Sequence, residues 1–181
     1  INLLMIINPR QLSAVTVYAI DQYLMRGGNI LIFMDPLSEA AMTDSENTPQ
    51  KSNLQAFLAN LGITYHDNVV VGDNLFNRSV TLNAETKTYP FWLTVVPDTA
   101  SDNLISGLKP LALNSAGWFN PDVDAKPQPR IIFTTSNQSG EVDASFLRYA
   151  SFDETMEAYL SDEQQRPLAV LQEGRFASLY D

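Results

Sequence analysis

Two short apolar runs near the start of the chain set its first structural prediction. They span residues 3–7 and 29–34, and each stops at a turn-forming pair, Asn8-Pro9 and Asp35-Pro36. Continuous apolar runs of this length are typical of strands buried on both faces of a parallel sheet. The pattern therefore predicts two fully buried strands.

The segment between these runs has helical periodicity. Ser13 is suited to cap the start of a helix, and Gly27-Gly28 lies where a helix ends. The apolar residues of one helical face recur every three to four positions, at Val17, Ile20, Tyr23 and Leu24. Two strands joined by one helix require a right-handed crossover, so we expect them to pair in parallel.

The rest of the chain gives a less regular pattern. Residues 37–52 are rich in polar and turn-forming types and predict an exposed loop, followed by a helix over 53–61 and a strand region over 63–71. Residues 120–129 predict a surface loop, and residues 153–160 predict a short helix. Further strands are predicted at 79–82, 91–96, 108–113, 130–135 and 167–171.

Composition limits the classes of function. The 181 residues are 45% hydrophobic, enough for one domain with its own core. A formal net charge of −10 disfavours nucleic acid and anionic lipid as partners, and the lack of Cys removes disulfides and thiolate chemistry. Neither a signal peptide nor an apolar run long enough to span a bilayer is found. The chain starts inside a predicted strand without an initiator Met, so we expect it to be part of a longer protein.

Nucleotide and nucleophile motifs are missing. The sequence contains no GxxxxGK[ST] loop and no GxGxxG after either opening strand, so we expect no ATP hydrolysis. Gly27-Gly28 ends a helix rather than starting one, which favours a structural role. His66 is the single histidine, and its neighbour Asp67 would point to the other side of a strand, so the two would not form a catalytic pair.

Polar residues at strand ends give the one candidate site. Asn8 and Asp35 follow the two opening strands, and Asp73 follows the strand region at 63–71. Open α/β sheets bind ligands at the carboxyl ends of their strands, so these residues are candidates for a crevice that holds a cation or a hydroxylated ligand. Turn chemistry alone also explains Asx residues beside Pro or Gly, and that alternative stays open.

Several segments together resemble one protein family. They are residues 9–13, 18–28 and 31–36 (PRQLS, YAIDQYLMRGG and LIFMDP), with later matches at 61–63, 89–93, 134–136, 167–171 and 174–178. This order resembles the auxiliary component of gliding-motility-type ABC transporters, the GldG-like proteins, whose domain also has relatives in intraflagellar transport. The resemblance covers nearly the whole chain. Its motif residues are Gly27, Gly28, Asp35 and Pro36.

The resemblance carries expectations about fold and location. It implies a three-layer α/β fold with a mainly parallel sheet, glutamine-amidotransferase-like or flavodoxin-like. It also implies that residues 1–181 form one extracytoplasmic domain on the periplasmic side of the bacterial inner membrane. Transmembrane helices elsewhere in the protein would anchor the domain. The ABC permease and ATPase would be separate partner subunits, and other extracytoplasmic proteins are further candidate partners.

Three hypotheses about function follow. The first is a non-enzymatic auxiliary domain of an ABC transport system that binds substrate or partner proteins, with no catalytic residue, cofactor or metal. The second is a carboxylate-dependent hydrolase or sugar-processing enzyme that uses strand-end carboxylates such as Asp35 and Asp73. The third is a purely structural assembly adaptor. The transported substrate, the oligomeric state and the partner surface are left open by the sequence.

Overall fold

The computed structural model describes residues 1–37, 52–82, 84–97 and 107–181. The helices are α1 (Ala14–Met25), α2 (Gln55–Asn60), α3 (Ala144–Tyr149) and α4 (Phe152–Ala158). The strands are β1 (Leu4–Ile7), β2 (Ile30–Phe33), β3 (Ile63–His66), β4 (Val69–Asp73), β5 (Asn77–Leu82), β6 (Glu85–Val95), β7 (Leu111–Asn114), β8 (Trp118–Pro121), β9 (Arg130–Thr134), β10 (Ser139–Asp143) and β11 (Pro167–Leu171). The predicted loop at 37–52 lies outside these ranges except for its two end residues.

The opening strand–helix–strand unit is confirmed. Strands β1 and β2 pair in parallel from Leu4↔Ile30 to Ile7↔Phe33. Helix α1 begins where expected, because the Ser13 side chain accepts a hydrogen bond from the backbone N–H of Thr16. The helix covers one face of the strand pair with its apolar stripe. Local pattern and capping were therefore sufficient to predict this unit.

The prediction that β1 and β2 are buried on both faces is wrong. Within the described residues, the two strands form a sheet of their own. Exposure alternates along each strand, so that Leu4 and Ile6 pack on the core while Met5 and Ile7 are exposed. An unbroken apolar run shows that its residues favour burial, but it does not show whether both faces of the strand are covered by other elements.

The prediction of a three-layer, mainly parallel α/β fold of the glutamine-amidotransferase or flavodoxin type is also wrong. Apart from β1–β2, every strand pair in the described part of the chain is antiparallel: β3–β8, β4–β10, β9–β11 and the three-stranded β5–β6–β7 sheet. Parallel strands need long crossovers, but short turns join many strands after residue 62, which favours antiparallel pairing. The fold is mainly β, in small sheets.

Turn chemistry explains the elements that periodicity missed. The predicted strand region at 63–71 is two strands, β3 and β4, which belong to different sheets and are separated by Asp67-Asn68. A long hairpin joins β5 and β6, although the sequence predicted its second strand only from residue 91. Strands β8 and β10 and helix α3 were not predicted, because Gly, Pro and polar residues interrupt their apolar patterns.

Three hydrophobic clusters of described residues fill the interior. The first joins α1, α2 and β3 around Phe57, which is 1% exposed, and it receives the inner face of β1–β2. The second surrounds Phe91 and includes Leu37 and residues of β4, β10 and α3. The third lies between β4, β6, β9 and β11 around Leu93. The junction of the first two clusters, at the carboxyl ends of β1 and β2, contains the candidate site.

Candidate functional site

A cavity of about 230 Å³ opens at the carboxyl ends of β1 and β2. Its polar lining comes from four places in the sequence: the ends of the opening strands, Ser52 before α2, β3 with the β3–β4 turn, and the start of α3. Apolar side chains, Met34 and Leu37 among them, form the remaining wall. The lining residues are Asn8, Pro9, Met34, Asp35, Pro36, Leu37, Ser52, Tyr65, Asp67, Asn68, Asp143, Ala144 and Ser145.

Parallel pairing brings Asn8 and Asp35 to the same wall. Because β1 and β2 run in the same direction and in register, their carboxyl ends meet. The backbone N–H of Asn8 donates to the carbonyl oxygen of Phe33 at 2.8 Å, so the pairing continues one step beyond β1. Asn8 has a φ of 43°, a conformation that Asn adopts more readily than most residues. The chain therefore turns after β1, and the ends of β1 and β2 together form one wall of the cavity.

The opposite wall is built from the β3–β4 turn and the α3 N-terminus. The backbone N–H of Ala144 donates to the carbonyl of Asn68 at 2.8 Å and joins the two segments. Asp143 caps α3, because its Oδ1 accepts from the backbone N–H of Ser145 at 2.8 Å and of Phe146 at 3.0 Å. This cap orients Asp143 and Ser145 at the edge of the cavity.

The electrostatic character of the cavity is acidic. Among the described residues, the lining includes three carboxylates, Asp35, Asp67 and Asp143, and no Lys, Arg or His. Burial raises the pKa of the Tyr65 phenol, and the negative charges of Asp35 and Asp67 raise it further. The Tyr65 hydroxyl, which donates to the carbonyl of Met34 at 3.0 Å, is therefore protonated at neutral pH. The site offers carboxylate and amide acceptors beside apolar contacts, and at its edge the Ser145 hydroxyl donates a hydrogen bond to Asp143 Oδ1.

Asp73, the third predicted crevice residue, lies in a different part of the fold. It is fully buried, and it does not line the cavity. Its Oδ1 accepts from the backbone N–H groups of Leu75 and Phe76 and from the Ser136 hydroxyl, and its Oδ2 accepts from the Ser136 N–H at 2.6 Å. These bonds fix the turn after β4 to the β9–β10 connection. The sequence placed Asp73 at a strand end, but β4 belongs to another sheet.

The family-motif residues divide into two groups. Gly27 has a φ of 82° at the end of α1, and a Cβ on Gly28 would lie 2.3 Å from the ring of Tyr23, so both glycines end the helix and turn it into β2. Asp35 and Pro36 line the cavity instead. One half of the motif thus builds the unit, and the other half contributes to the candidate site.

His66 does not line the cavity. It stacks on Trp118 with ring centroids 3.7 Å apart and an angle of 3° between the planes. Its Nε2 is buried and has no hydrogen-bond partner among the described residues. Within the part of the chain that is described, no group of three or more His, Cys, Asp or Glu side chains is arranged to hold a metal ion.

Sequence reasoning missed Tyr65, Asp67, Asn68 and Asp143 as lining residues. The Asp67-Asn68 pair is a turn signal that divides the strand region, and Asp143 precedes Ala-Ser-Phe-Leu as an N-cap precedes a helix. Those local signals were available. What joins them to Asn8 and Asp35 is tertiary packing, which the sequence pattern does not specify.

The fold and the cavity define a mainly antiparallel domain with an acidic crevice at its one parallel strand pair among the described residues. The model of the family described as an ABC-type uncharacterized transport system matches residues 1–181. The chain belongs to this family, which gives it a transport-associated role alongside an ABC system. No curated protein and no solved structure gives a significant match. None of the described helices has the length and apolar character needed to cross a membrane.

Proposed function

We propose that the chain is a non-enzymatic auxiliary domain of an ABC transport system that binds a ligand or a partner segment in the acidic cavity. In this proposal the domain is GldG-like and lies on the periplasmic side of the inner membrane. Helices outside residues 1–181 anchor it, and the ABC permease and ATPase are its partner subunits. Family membership supports the transport role, and the motif resemblance supports the finer assignment.

The cavity is the observation that carries the binding function. It combines carboxylate and amide acceptors with an apolar wall, as small-molecule sites commonly do. Asp35, Asp67 and Asp143 favour groups that donate hydrogen bonds or carry positive charge, such as amines and hydroxyls. Asp35 and Pro36 belong to the family motif and also line the cavity, so the motif and the candidate site share two residues.

The pair of strand-end carboxylates named for the hydrolase hypothesis does not form. The two strand-end carboxylates named for it are separated, since Asp35 lines the cavity and Asp73 is buried among backbone donors. Tyr65 is held protonated and bonded to Met34, and His66 lies outside the lining. Ser145 and Asp143 share a hydrogen bond in the cavity lining, but they do so as the N-cap of α3, where Asp143 Oδ1 also accepts from two backbone N–H groups.

A ligand screen tests the binding function. Thermal unfolding would be followed with amines, polyols, sugars and short basic peptides at about 1–10 mM, because a ligand that binds only the folded state raises Tm. At least one class should raise Tm in the native protein and lose that effect in Asp35→Asn. The charge-matched control is Asp153→Asn, at an exposed acidic residue of α4 outside the cavity. No shift with any probe, or an equal shift in Asp35→Asn, would contradict binding in the cavity.

Co-purification tests the transport assignment separately. The full-length protein, expressed with its genomic ABC permease and ATPase, should be recovered with both after solubilisation in mild detergent. An unrelated permease–ATPase pair is the matched control. Recovery without either subunit would argue against the assignment. A separate activity assay tests the hydrolase hypothesis: turnover of ester, glycoside or amide substrates that depends on Asp35 would support it.

A further inference from the structure

The outer face of the β1–β2 pair is an apolar surface whose side chains are exposed. Its side chains come from alternate positions of the two strands, and Met5↔Leu31 and Ile7↔Phe33 are register partners, so they lie side by side. Their exposed fractions are 48% for Leu3, 51% for Met5, 68% for Ile7, 38% for Leu31 and 46% for Phe33. We call these five residues the outer strand face. None of them carries a polar or charged group.

This surface is large for a soluble domain. A large apolar side chain presents roughly 200 Å² when fully exposed, so five that are about half exposed present roughly 500 Å². That value lies at the upper end of the largest apolar patch found on typical monomers, about 300–600 Å². Parallel strands are normally covered on both faces, whereas α1 and the first core cluster cover only the inner face here. The size and composition of the outer strand face make it a candidate interaction surface.

We propose that a second copy of this chain covers the outer strand face, packed face to face across a two-fold axis. Two such faces would bury roughly 1,000 Å² together, which reaches the lower limit of a specific protein interface. A smaller occupant would leave most of the face in water. An isologous contact needs a surface that complements itself, and a flat surface made only of aliphatic and aromatic groups does so.

Charge also favours this face for contact between copies. Each chain carries a net charge of −10, so two copies repel each other at long range. The outer strand face contains no charge, so packing there places no like-charged side chains against each other. The opposing long-range repulsion is screened by salt, with a Debye length of about 8 Å at physiological ionic strength. Association through this face should therefore become tighter as salt is added.

Sedimentation measurements on residues 1–181 and on the full-length protein test the proposal. The native chain should pass from monomer to dimer between about 1 and 200 µM. Raising NaCl from about 50 to 500 mM should shift that transition to lower protein concentration, because salt screens the repulsion. A chain that stays monomeric throughout this range overturns the proposal, as does a dimer that salt weakens.

Two variants locate the interface. Met5→Glu and Leu31→Glu place a carboxylate on neighbouring strands of the outer strand face, and each should raise the dimer dissociation constant at least about tenfold. The matched control is Leu160→Glu, which adds the same charge at a leucine that is 78% exposed elsewhere. Circular dichroism and Tm identify the variants that keep the native fold, and one folded variant of the two is sufficient. A dimer unchanged in that variant places the interface elsewhere and overturns the proposal.

Discussion

Two regions of the molecule differ in which residues they bury: one exposes apolar side chains, and the other buries charged ones. The opening unit, β1–α1–β2, is built from apolar strands, yet one face of its sheet is exposed to solvent. The region where β4, β9 and β10 meet contains charged residues, yet Asp73 is 0% exposed and Arg166 is 4% exposed. The comparison shows that an apolar sequence pattern predicts a strand and its pairing better than it predicts what covers the strand. Burial of charge depends instead on the partners that tertiary structure supplies.

The buried polar region is connected from end to end. Ser139 accepts hydrogen bonds from Thr135 and from Nη1 of Arg166, and its hydroxyl donates to the carbonyl of Gln164. Arg166 also pairs with Asp162, which raises the pKa of the guanidinium, and with Glu141 at 3.2 Å. Asp73 fixes the neighbouring loop through Ser136. Each charge is satisfied, so the region acts as a rigid polar core.

Removing Asp73 should give the largest effect on stability. Asp73→Ala leaves two backbone donors of the β4 turn and both donors of Ser136 without their acceptor. The expected loss is about 3–5 kcal/mol of unfolding free energy, because buried donors keep their desolvation cost when the acceptor is lost. Urea unfolding followed by circular dichroism measures it.

The matched variant sharpens this result. Asp73→Asn keeps one acceptor oxygen but turns an amide toward the Ser136 N–H that Oδ2 served, so its loss should be smaller than that of Asp73→Ala. Ligand-induced Tm shifts at the cavity should persist in whichever variant folds. An Asp73→Ala protein within about 1 kcal/mol of the native stability would show that this polar region contributes little.

The comparison also explains which parts of the fold the sequence predicts. The opening unit was predicted because capping by Ser13, the apolar stripe of α1 and the stop at Gly27 are local signals. The antiparallel pairing of the later strands was not predicted, and strands such as β8 and β10 were missed because their partners are distant in sequence. The family resemblance implied that the parallel pairing of the opening unit continues through the whole chain. The short turns after β3 leave no room for the crossovers that parallel pairing needs.

Two of the three residues predicted for a crevice, Asn8 and Asp35, lie together in the structure. Asn8 and Asp35 were found because parallel strands bring their carboxyl ends together, which is a rule about topology. The same rule placed Asp73 wrongly, since β4 pairs with β10 in a separate sheet. Asp67 and Asp143 reach the cavity through the contact between Asn68 and Ala144, and no pattern within either segment indicates that contact.

Substitution of the two glycines tests the opening unit and should give an intermediate effect. Gly28→Ala places a methyl group 2.3 Å from the Tyr23 ring and should cost about 1–3 kcal/mol, because the ring must move and its hydroxyl bond to the Ile1 carbonyl is strained. Gly27→Ala has free space but a φ of 82°, and should cost about 1 kcal/mol. Urea unfolding measures both. In a Tyr23→Ala background the Gly28→Ala cost should fall, and an unchanged cost would show that the ring contact is not its cause.

The smallest expected effect is a pH dependence at the edge of the polar region. The hydrogen bond from Arg166 lowers the pKa of Asp162 below its ordinary value of 3.8. Because the folded-state pKa is lower than the unfolded one, Asp162 stabilises the fold above about pH 4, and this contribution is lost as pH falls through the folded value. Solvent screening keeps it below about 1 kcal/mol, since Asp162 is 41% exposed.

The stability difference between the native protein and Asp162→Asn should therefore shrink from pH 7 to pH 3, whereas the difference for Asp153→Asn should change less. If the stability difference for Asp162→Asn does not change with pH, the bond from Arg166 does not favour the charged carboxylate over a neutral amide, and the prediction is wrong.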